Sequence, residues 1–207
     1  MFLQFTWYVP HDVKSLINLI GERQFIDRLN AGFATSEKVS FNVLGDNMGA
    51  YPINHGNETN MQAAYLFSYT SEPWHTQKWA RAIQEKYYGM GPRDAYPGDE
   101  DQGQMSSWYI LSSIGLFQMD GGCSKDPVWL LGSPRFDRVE ILLDNTYYSG
   151  KKLIIKAENV SKDNCYIQYV RFNNKRLSNN YIEWSKLKKG GTLHFIMGDR
   201  PNPNAFK

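Results

Sequence analysis

The chain has 207 residues, enough for one large domain or two small ones, and its 42% hydrophobic and 21% charged content is ordinary for a globular protein. A net charge of +2 gives no reason to expect nucleic acid or an anionic membrane surface as a partner, and no apolar run is long enough to span a bilayer. The two cysteines, Cys123 and Cys165, are too few to identify a redox compartment.

The first half of the chain is predicted to be helical. The opening stretch, residues 1–10, is apolar and aromatic, lacks the basic region of a signal peptide, and resembles the middle of a larger fold. Asp12 is suited to cap a helix over 13–20, and a second helix is predicted over 22–33. Residues 35–58 are rich in Gly and Asn and predict a long loop, which inside a compact domain is more often functional than idle. Further helices are predicted at about 59–69, 73–88 and 104–117.

From about Asp120 the sequence changes to short β-branched and aromatic runs separated by Asn, Gly, Ser and Asp. The alternation within residues 166–172 is typical of a half-buried strand in an antiparallel sheet. The predicted strands cover about 128–131, 138–143, 152–157, 166–172 and 192–197. The sequence therefore predicts an α + β protein with a helical domain over 1–119 and a β-strand subdomain over 120–207.

Three carboxylates crowd the turn before the last predicted helix: Asp99, Glu100 and Asp101. Neighbouring like charges raise one another's pKa, which is one way to keep a general base near the working pH. The simpler alternative is a helix cap within a solvated acidic turn. A calcium-binding EF-hand loop is excluded, because its twelfth position, counted from Asp99, is Ile110 rather than a bidentate Glu.

A second acidic loop contains Asn57 and Glu58, whose hard oxygen atoms suit calcium better than zinc. The alternative is that Asn57 simply caps the helix that follows. The four histidines are not spaced as helical metal ligands, and for His11 and His55 a structural hydrogen bond is the favoured role. Hydrolysis of a glycoside needs a proton donor and a second carboxylate, so convergence of the two acidic loops would suit that reaction.

Several motifs, taken in order, carry a resemblance to a known family. They are Trp7-Tyr-Val-Pro-His-Asp-Val, Gly56-Asn-Glu, Pro73-Trp-x-Thr-Gln-Lys, Pro97-Gly-Asp-Glu-Asp-x-Gly-Gln-Met-Ser-Ser-Trp-Tyr, Gly115-Leu-Phe, Gly132-Ser-Pro-x-Phe-Asp and Gly190-Gly-Thr-Leu. In this combination the chain resembles the C-terminal part of family 92 glycoside hydrolases, the calcium-dependent exo-acting α-mannosidases. The resemblance spans essentially the whole chain.

The resemblance implies a fold, a reaction and a set of site residues. Family members have an N-terminal β-sandwich, an (α/α)6 barrel and a C-terminal β segment, so residues 1–119 would be part of the barrel. They are inverting enzymes that act on mannose-containing glycans, and Ca2+ bridges the 2- and 3-hydroxyls of the terminal mannose. Asp99 and Asp101 match the catalytic-base motif, with Asp101 favoured as the base, and Asn57 and Glu58 match the metal-site motif. The stretches that border the sugar contain Trp7, His11 and Gln104, although Trp7 alone reads better as a core residue.

Two departures from the family qualify these expectations. The family's general acid is a Glu that, aligned onto this chain, falls before Met1, together with the sandwich and half of the barrel. The chain on its own is therefore expected to be inactive. Residues 59–62 read Thr-Asn-Met-Gln where many relatives have Pro-x-His-His, so an α-1,2, α-1,3 or α-1,4 linkage and a mannose phosphodiester all remain open.

Two expectations concern the cellular and functional setting. The resemblance implies a periplasmic or secreted protein. The functional alternative is a non-catalytic carbohydrate-binding or assembly module, which the missing proton donor favours for the chain taken alone.

Overall fold

The computed structural model describes residues 3–43, 50–96, 98 and 100–207. They form two units, one over Met1–Ile110 and one over Leu111–Lys207. The division falls inside a helix, earlier than the change of sequence texture near Asp120. No helix in the described ranges is both long and apolar enough to cross a membrane.

The first unit is helical. It contains the α-helices α1 (Val13–Ile20), α2 (Glu22–Ser36), α3 (Glu58–Met61), α4 (Trp74–Lys86) and the start of α5 (Gln104–Ser113), with 3-10 helices at Leu3–Trp7, Glu37–Val39 and Ala63–Tyr69.

The start of α1 is as the sequence predicts. Asp12 is its N-cap and accepts a hydrogen bond from the Ser15 amide at 3.1 Å, which satisfies one of the amides that a helix start leaves without a partner. Gly21 then separates α1 from α2 with a φ of 86°, a value that glycine adopts without a steric penalty. The boundary between the two helices is therefore set by local chemistry.

Aromatic side chains fill the core of the helical unit. Phe33 of α2 stacks on Trp79 of α4 with ring centroids 5.2 Å apart, and Phe41 and Phe67 pack against this pair. The Trp79 indole N–H donates to Asn30 Oδ1 at 2.8 Å, which satisfies its polar atom inside the core. These contacts hold α2 and α4 together, and Tyr87 is the C-cap of α4.

The second unit contains two sheets. The first has strand order β1-β2-β7 and the second β3-β4-β8-β5-β6. The strands are β1 (Leu116–Phe117), β2 (Val128–Leu131), β3 (Arg138–Leu142), β4 (Lys152–Glu158), β5 (Tyr166–Phe172), β6 (Lys175–Arg176), β7 (Tyr181–Glu183) and β8 (Gly191–Gly198), with the short helix α6 (Trp184–Leu187) after β7.

One hydrophobic cluster joins the two sheets. Leu131 from the first sheet and Ile155 and Phe195 from the second are among its buried members, as expected when the inner faces of two sheets pack together. Cys123 and Cys165, both in this unit, are free thiols.

The α + β class is confirmed, with three corrections in detail. The helix predicted over 104–117 ends at Ser113, because Gly115 takes a φ of 83° and residues 116–117 pair with β2. The helix predicted over 59–69 is divided into α3 and a 3-10 helix. The antiparallel sheet contains one parallel pair, β4 with β8.

Candidate functional site

The Asn57–Glu58 loop and the acidic turn lie close together on either side of the Tyr87 hydroxyl. A Cβ added to Gly56 would lie 2.6 Å from Tyr87 Oη and 3.6 Å from the Cα of Gly98, and a Cβ added to Gly98 would lie 2.7 Å from the same oxygen. The side chain of Tyr87 is buried, with 3% of its surface exposed. Because glycine at both positions leaves room for this hydroxyl, the two backbone segments approach each other closely.

Asn57 is the N-cap of α3. Its Oδ1 accepts hydrogen bonds from the amide and the hydroxyl of Thr59, at 3.1 and 2.7 Å. The cap that was the simpler alternative is therefore present. An amide oxygen has two acceptor positions, and both positions of Asn57 Oδ1 are used by these hydrogen bonds. Asn57 would therefore have to release one of them to bind a cation. The neighbouring Glu58 is half-buried and has a carboxylate.

The oxygen atoms of this loop suit calcium in type, and they supply only part of a coordination shell. Calcium takes about six to eight oxygen ligands. Among the residues with a described placement, no group of three or more His, Cys, Asp or Glu side chains could hold a metal ion. Asn57 and Glu58 could therefore supply two oxygen ligands, and water or sugar hydroxyls would have to complete the shell of a calcium ion held there.

Asn60 and Gln62 join α3 to the 3-10 helix that contains Trp7. Asn60 Nδ2 donates to the Gln4 carbonyl at 2.9 Å, and Gln62 Nε2 donates to the Trp7 carbonyl at 3.3 Å. Both side chains are buried. Gln62 stands where many relatives are expected to have His, and together with Asn60 it fixes the backbone at Gln4 and Trp7 next to α3, a role that the sequence analysis missed.

Trp7 itself is a core residue that also borders a cavity. It is 3% exposed, and its ring contacts Phe25 edge-on at 5.6 Å. The guanidinium of Arg28 lies 5.9 Å from the indole centroid, within the range of a cation–π contact. Trp7 and Arg28 line a cavity of about 250 Å3 together with Leu3, Thr6, Ala31, Gly32, Thr35 and Pro52. The indole N–H has no hydrogen-bond partner among the residues placed by the structure.

The acidic turn has unusual backbone geometry. Glu100 and Gln102 have φ angles of 65° and 61°, in the left-handed region that few residues other than glycine adopt. Such strain persists where surrounding contacts enforce it, and it concentrates at functional sites. Here one such contact joins the Glu100 carboxylate to the Ser106 amide at 3.2 Å, so Glu100 caps the start of α5.

With Glu100 used as the cap, Asp101 is exposed on the turn. Asp99, the other predicted carboxylate of the base motif, lies outside the described residues. Among the carboxylates of this turn that the structure describes, Asp101 is therefore the one exposed to solvent.

His11 and Gln104 are both exposed, His11 on the turn before α1 and Gln104 as the first residue of α5. Their predicted position beside a sugar stays a prediction.

A buried histidine lies next to Gly56. His55 is fully buried, and burial lowers the pKa of its imidazole to about 3. Its Nε2 lies 2.8 Å from the Tyr88 hydroxyl, which confirms the structural hydrogen bond favoured from the sequence. Burial, with smaller effects of neighbouring charges, raises the pKa of Tyr88. Both side chains are therefore neutral near pH 7.

Comparisons with known proteins identify the family and its solved members. Residues 2–199 match the family model of the glycosyl hydrolase family 92 catalytic domain. The GH92 α-mannosidase BT3965 from Bacteroides thetaiotaomicron is 34% identical with a TM-score of 0.81, and the match covers 98% of this chain and 25% of that one. The inverting GH92 mannosidase BT2199 from the same species is 30% identical with a TM-score of 0.80, over 99% of this chain and 28% of that one.

A curated relative is also matched over most of this chain and over a small part of its own length. A protein of Arthroderma benhamiae described as an uncharacterized secreted glycosidase is 29% identical over 195 residues, which is 93% of this chain and 22% of the relative. The chain thus spans about a quarter of the solved and curated relatives that it matches.

Proposed function

The chain belongs to glycosyl hydrolase family 92, and on that premise we propose that it is the C-terminal part of the catalytic region of an inverting, calcium-dependent α-mannosidase. Its substrates would be terminal α-mannosides of glycans, and its helical unit would form part of an (α/α)6 barrel. The names of its solved relatives support the mannoside, and one of these was solved with mannoimidazole. The description of the fungal relative supports a secreted protein.

The observation that carries this proposal is the approach of the two acidic loops around Tyr87. Gly56, next to Asn57, lies close to Gly98, three residues before Asp101, and this supports the proposal that one sugar ring contacts both loops. In the proposed reaction, Asp101, assisted by Asp99, takes the proton of the attacking water. A Glu outside this chain protonates the leaving oxygen. An inverting pair of this kind has its carboxyl groups about 6.5 to 9.5 Å apart, which leaves room for the water.

Asn57 and Glu58 are the residues that would hold the calcium ion. When bound, calcium would supply a hard Lewis-acid charge that orients hydroxyl groups of the terminal mannose. The described donor set is compatible with this role because it is small and made of hard oxygens.

Assays of the 207-residue chain test whether it lacks the proton donor and still binds sugar and calcium. We expect no calcium-dependent hydrolysis of an aryl α-mannoside, because the proton donor is proposed to lie outside the chain. Calorimetry with mannose and calcium should still detect binding if the loops form as described. Binding without turnover also fits a carbohydrate-binding module. The decisive comparison therefore uses a longer polypeptide, which contains this chain and the regions of its relatives that lie outside the matched part. We call this polypeptide the complete enzyme. Turnover by the complete enzyme supports the mannosidase, and turnover by the 207-residue chain would overturn the placement of the acid.

Replacing Glu58 by Gln is expected to weaken calcium binding. The substitution keeps the shape of the side chain and removes the carboxylate charge on which calcium affinity depends. We expect the calcium affinity measured by titration calorimetry to fall at least about tenfold. Mutating a residue that only supports a metal ligand already lowers metal affinity by about 10- to 100-fold. Glu85→Gln, on an exposed position of α4, is the matched control and should leave the affinity unchanged. Equal affinities for both variants would remove Glu58 from the proposed site.

A further inference from the structure

A chain of hydrogen bonds runs through the buried side chain of His55 to the start of α5. The Tyr88 hydroxyl donates to the Met105 carbonyl at 3.0 Å. A phenol has one proton, so the same oxygen accepts the hydrogen bond of 2.8 Å that joins it to His55 Nε2. His55 must then carry its proton on Nε2. Its Nδ1 is a bare acceptor, and no residue placed by the structure bonds to it.

Each end of this chain lies at one of the two loops. His55 directly precedes Gly56, and its own amide donates to the Phe41 carbonyl at 2.9 Å, which fixes the loop backbone at that point. At the other end, Met105 belongs to the first turn of α5, and its sulfur accepts from the Glu100 amide at 3.3 Å. A movement of either loop therefore has to break or shift a bond of the same buried chain.

Aromatic rings keep this chain in one geometry. The His55 ring lies 4.3 Å from that of Trp108 and 4.9 Å from that of Tyr87, edge-on in both cases. Tyr88 stacks on Trp108 at 5.9 Å with an interplanar angle of 7°. Hydrogen bonds in such a low-dielectric environment are strong, and leaving one partner unpaired is correspondingly costly.

We propose that His55 and Tyr88 are positioning residues that couple the Asn57–Glu58 loop to the acidic turn, so that the two loops are ordered together. Neither side chain needs to touch substrate for this. The effect on catalysis rests on the proposed function, whereas the coupling of the two loops does not. In the complete enzyme the coupling places the cation ligands and the base in register on one sugar ring.

Hydrogen–deuterium exchange on the 207-residue chain tests the coupling directly. Tyr88→Phe keeps the ring and removes the hydroxyl that joins the two loops. We expect amide exchange to rise in both segments, 54–60 and 100–106, by about tenfold or more, because loss of one partner of a buried hydrogen bond makes local opening easier. The control, Tyr147→Phe, makes the same change at an exposed tyrosine of the other unit and should alter neither segment. A rise confined to one of the two segments would overturn the proposal.

Variants at the other end of the chain give an independent comparison. His55→Gln can place an amide N–H where Nε2–H lies and should largely retain protection in both segments, whereas His55→Leu should lose it in both. Equal behaviour of the two variants would contradict the proposal even if Tyr88→Phe failed to fold. Nitrogen-15 spectroscopy of the parent chain should also show the Nε2–H tautomer, and the Nδ1–H tautomer would refute the hydrogen-bond order.

Kinetics of the complete enzyme separate this proposal from the proposed function. We expect Tyr88→Phe to lower kcat/KM by about 10- to 100-fold, because the cation ligands and the base both lose their fixed positions. Absence of turnover in the parent enzyme, with coupled exchange intact, would count against the mannosidase and leave the coupling standing. Turnover by the parent enzyme without coupled exchange of the two segments would support the mannosidase and overturn the coupling.

Discussion

Replacing Asp101 by Asn is expected to lower kcat of the complete enzyme by about 10²- to 10⁴-fold, the range that general acid–base groups contribute. Asn keeps the size of the side chain and cannot accept the proton of the attacking water. Calcium and sugar binding should be nearly unchanged, because the Asn57–Glu58 loop and the cap made by Glu100 stay intact. Steady-state kinetics with an aryl α-mannoside, together with calorimetry, separates the two effects.

Asp126→Asn is the control for this substitution, since Asp126 is also an exposed aspartate and lies outside the proposed site. It should leave kcat unchanged. Asp99→Asn should give a smaller loss than Asp101→Asn, because Asp99 is proposed to assist the base. Full turnover by the Asp101 variant, or a larger loss at Asp99, would require the base to be reassigned.

Replacing Gly56 by Ala is expected to destabilise the helical unit by about 1–3 kcal/mol, the usual cost of overpacking a well-packed site. The new Cβ would lie 2.6 Å from Tyr87 Oη. The Tyr87 ring cannot easily retreat, because Gly98 lies near the same hydroxyl and the rings of His55 and Tyr88 pack against it at 4.9 and 5.2 Å. Separation of the loops should also weaken calcium binding.

Thermal or denaturant unfolding measures this cost, and a second substitution identifies its source. Tyr87→Phe removes the one atom that the new Cβ would meet first. The double variant Gly56→Ala/Tyr87→Phe should therefore be more stable than the sum of the two single changes predicts, which a double-mutant cycle reports directly. An additive cycle, or a Gly56→Ala chain as stable as the parent, would show that the two loops do not meet at Tyr87.

Much of the fold could be predicted from the sequence because local chemistry determines it. The cap at Asp12, the break at Gly21 and the alternation of residues 166–172 each specify their structure within a few residues. The end of α5 could not be predicted in this way. Leu116 and Phe117 continue the apolar pattern of a helix, and only their pairing with Leu131 and Leu130 makes them a strand. The parallel register of β4 and β8 is likewise a long-range property.

For the site, the sequence supplied the residue types and the structure supplied their contacts. Asn57 and Glu58 could be singled out because the motif is contiguous. The contact between His55 and Tyr88 joins residues 33 positions apart, and no local pattern connects a loop histidine with a tyrosine that follows a helix. A usable signal was the glycine on each loop, since Gly56 and Gly98 both mark places where another group approaches the backbone closely.

The most direct test is a crystal structure of the complete enzyme with calcium and a mannose-configured inhibitor such as mannoimidazole. We expect a Glu58 carboxylate oxygen about 2.3–2.6 Å from the calcium ion. On the opposite face of the sugar, Asp101 should lie about 2.6–3.2 Å from the water that faces the anomeric carbon. An inhibitor bound away from both loops, or Glu58 and Asp101 pointing into bulk solvent around an occupied site, would contradict the account.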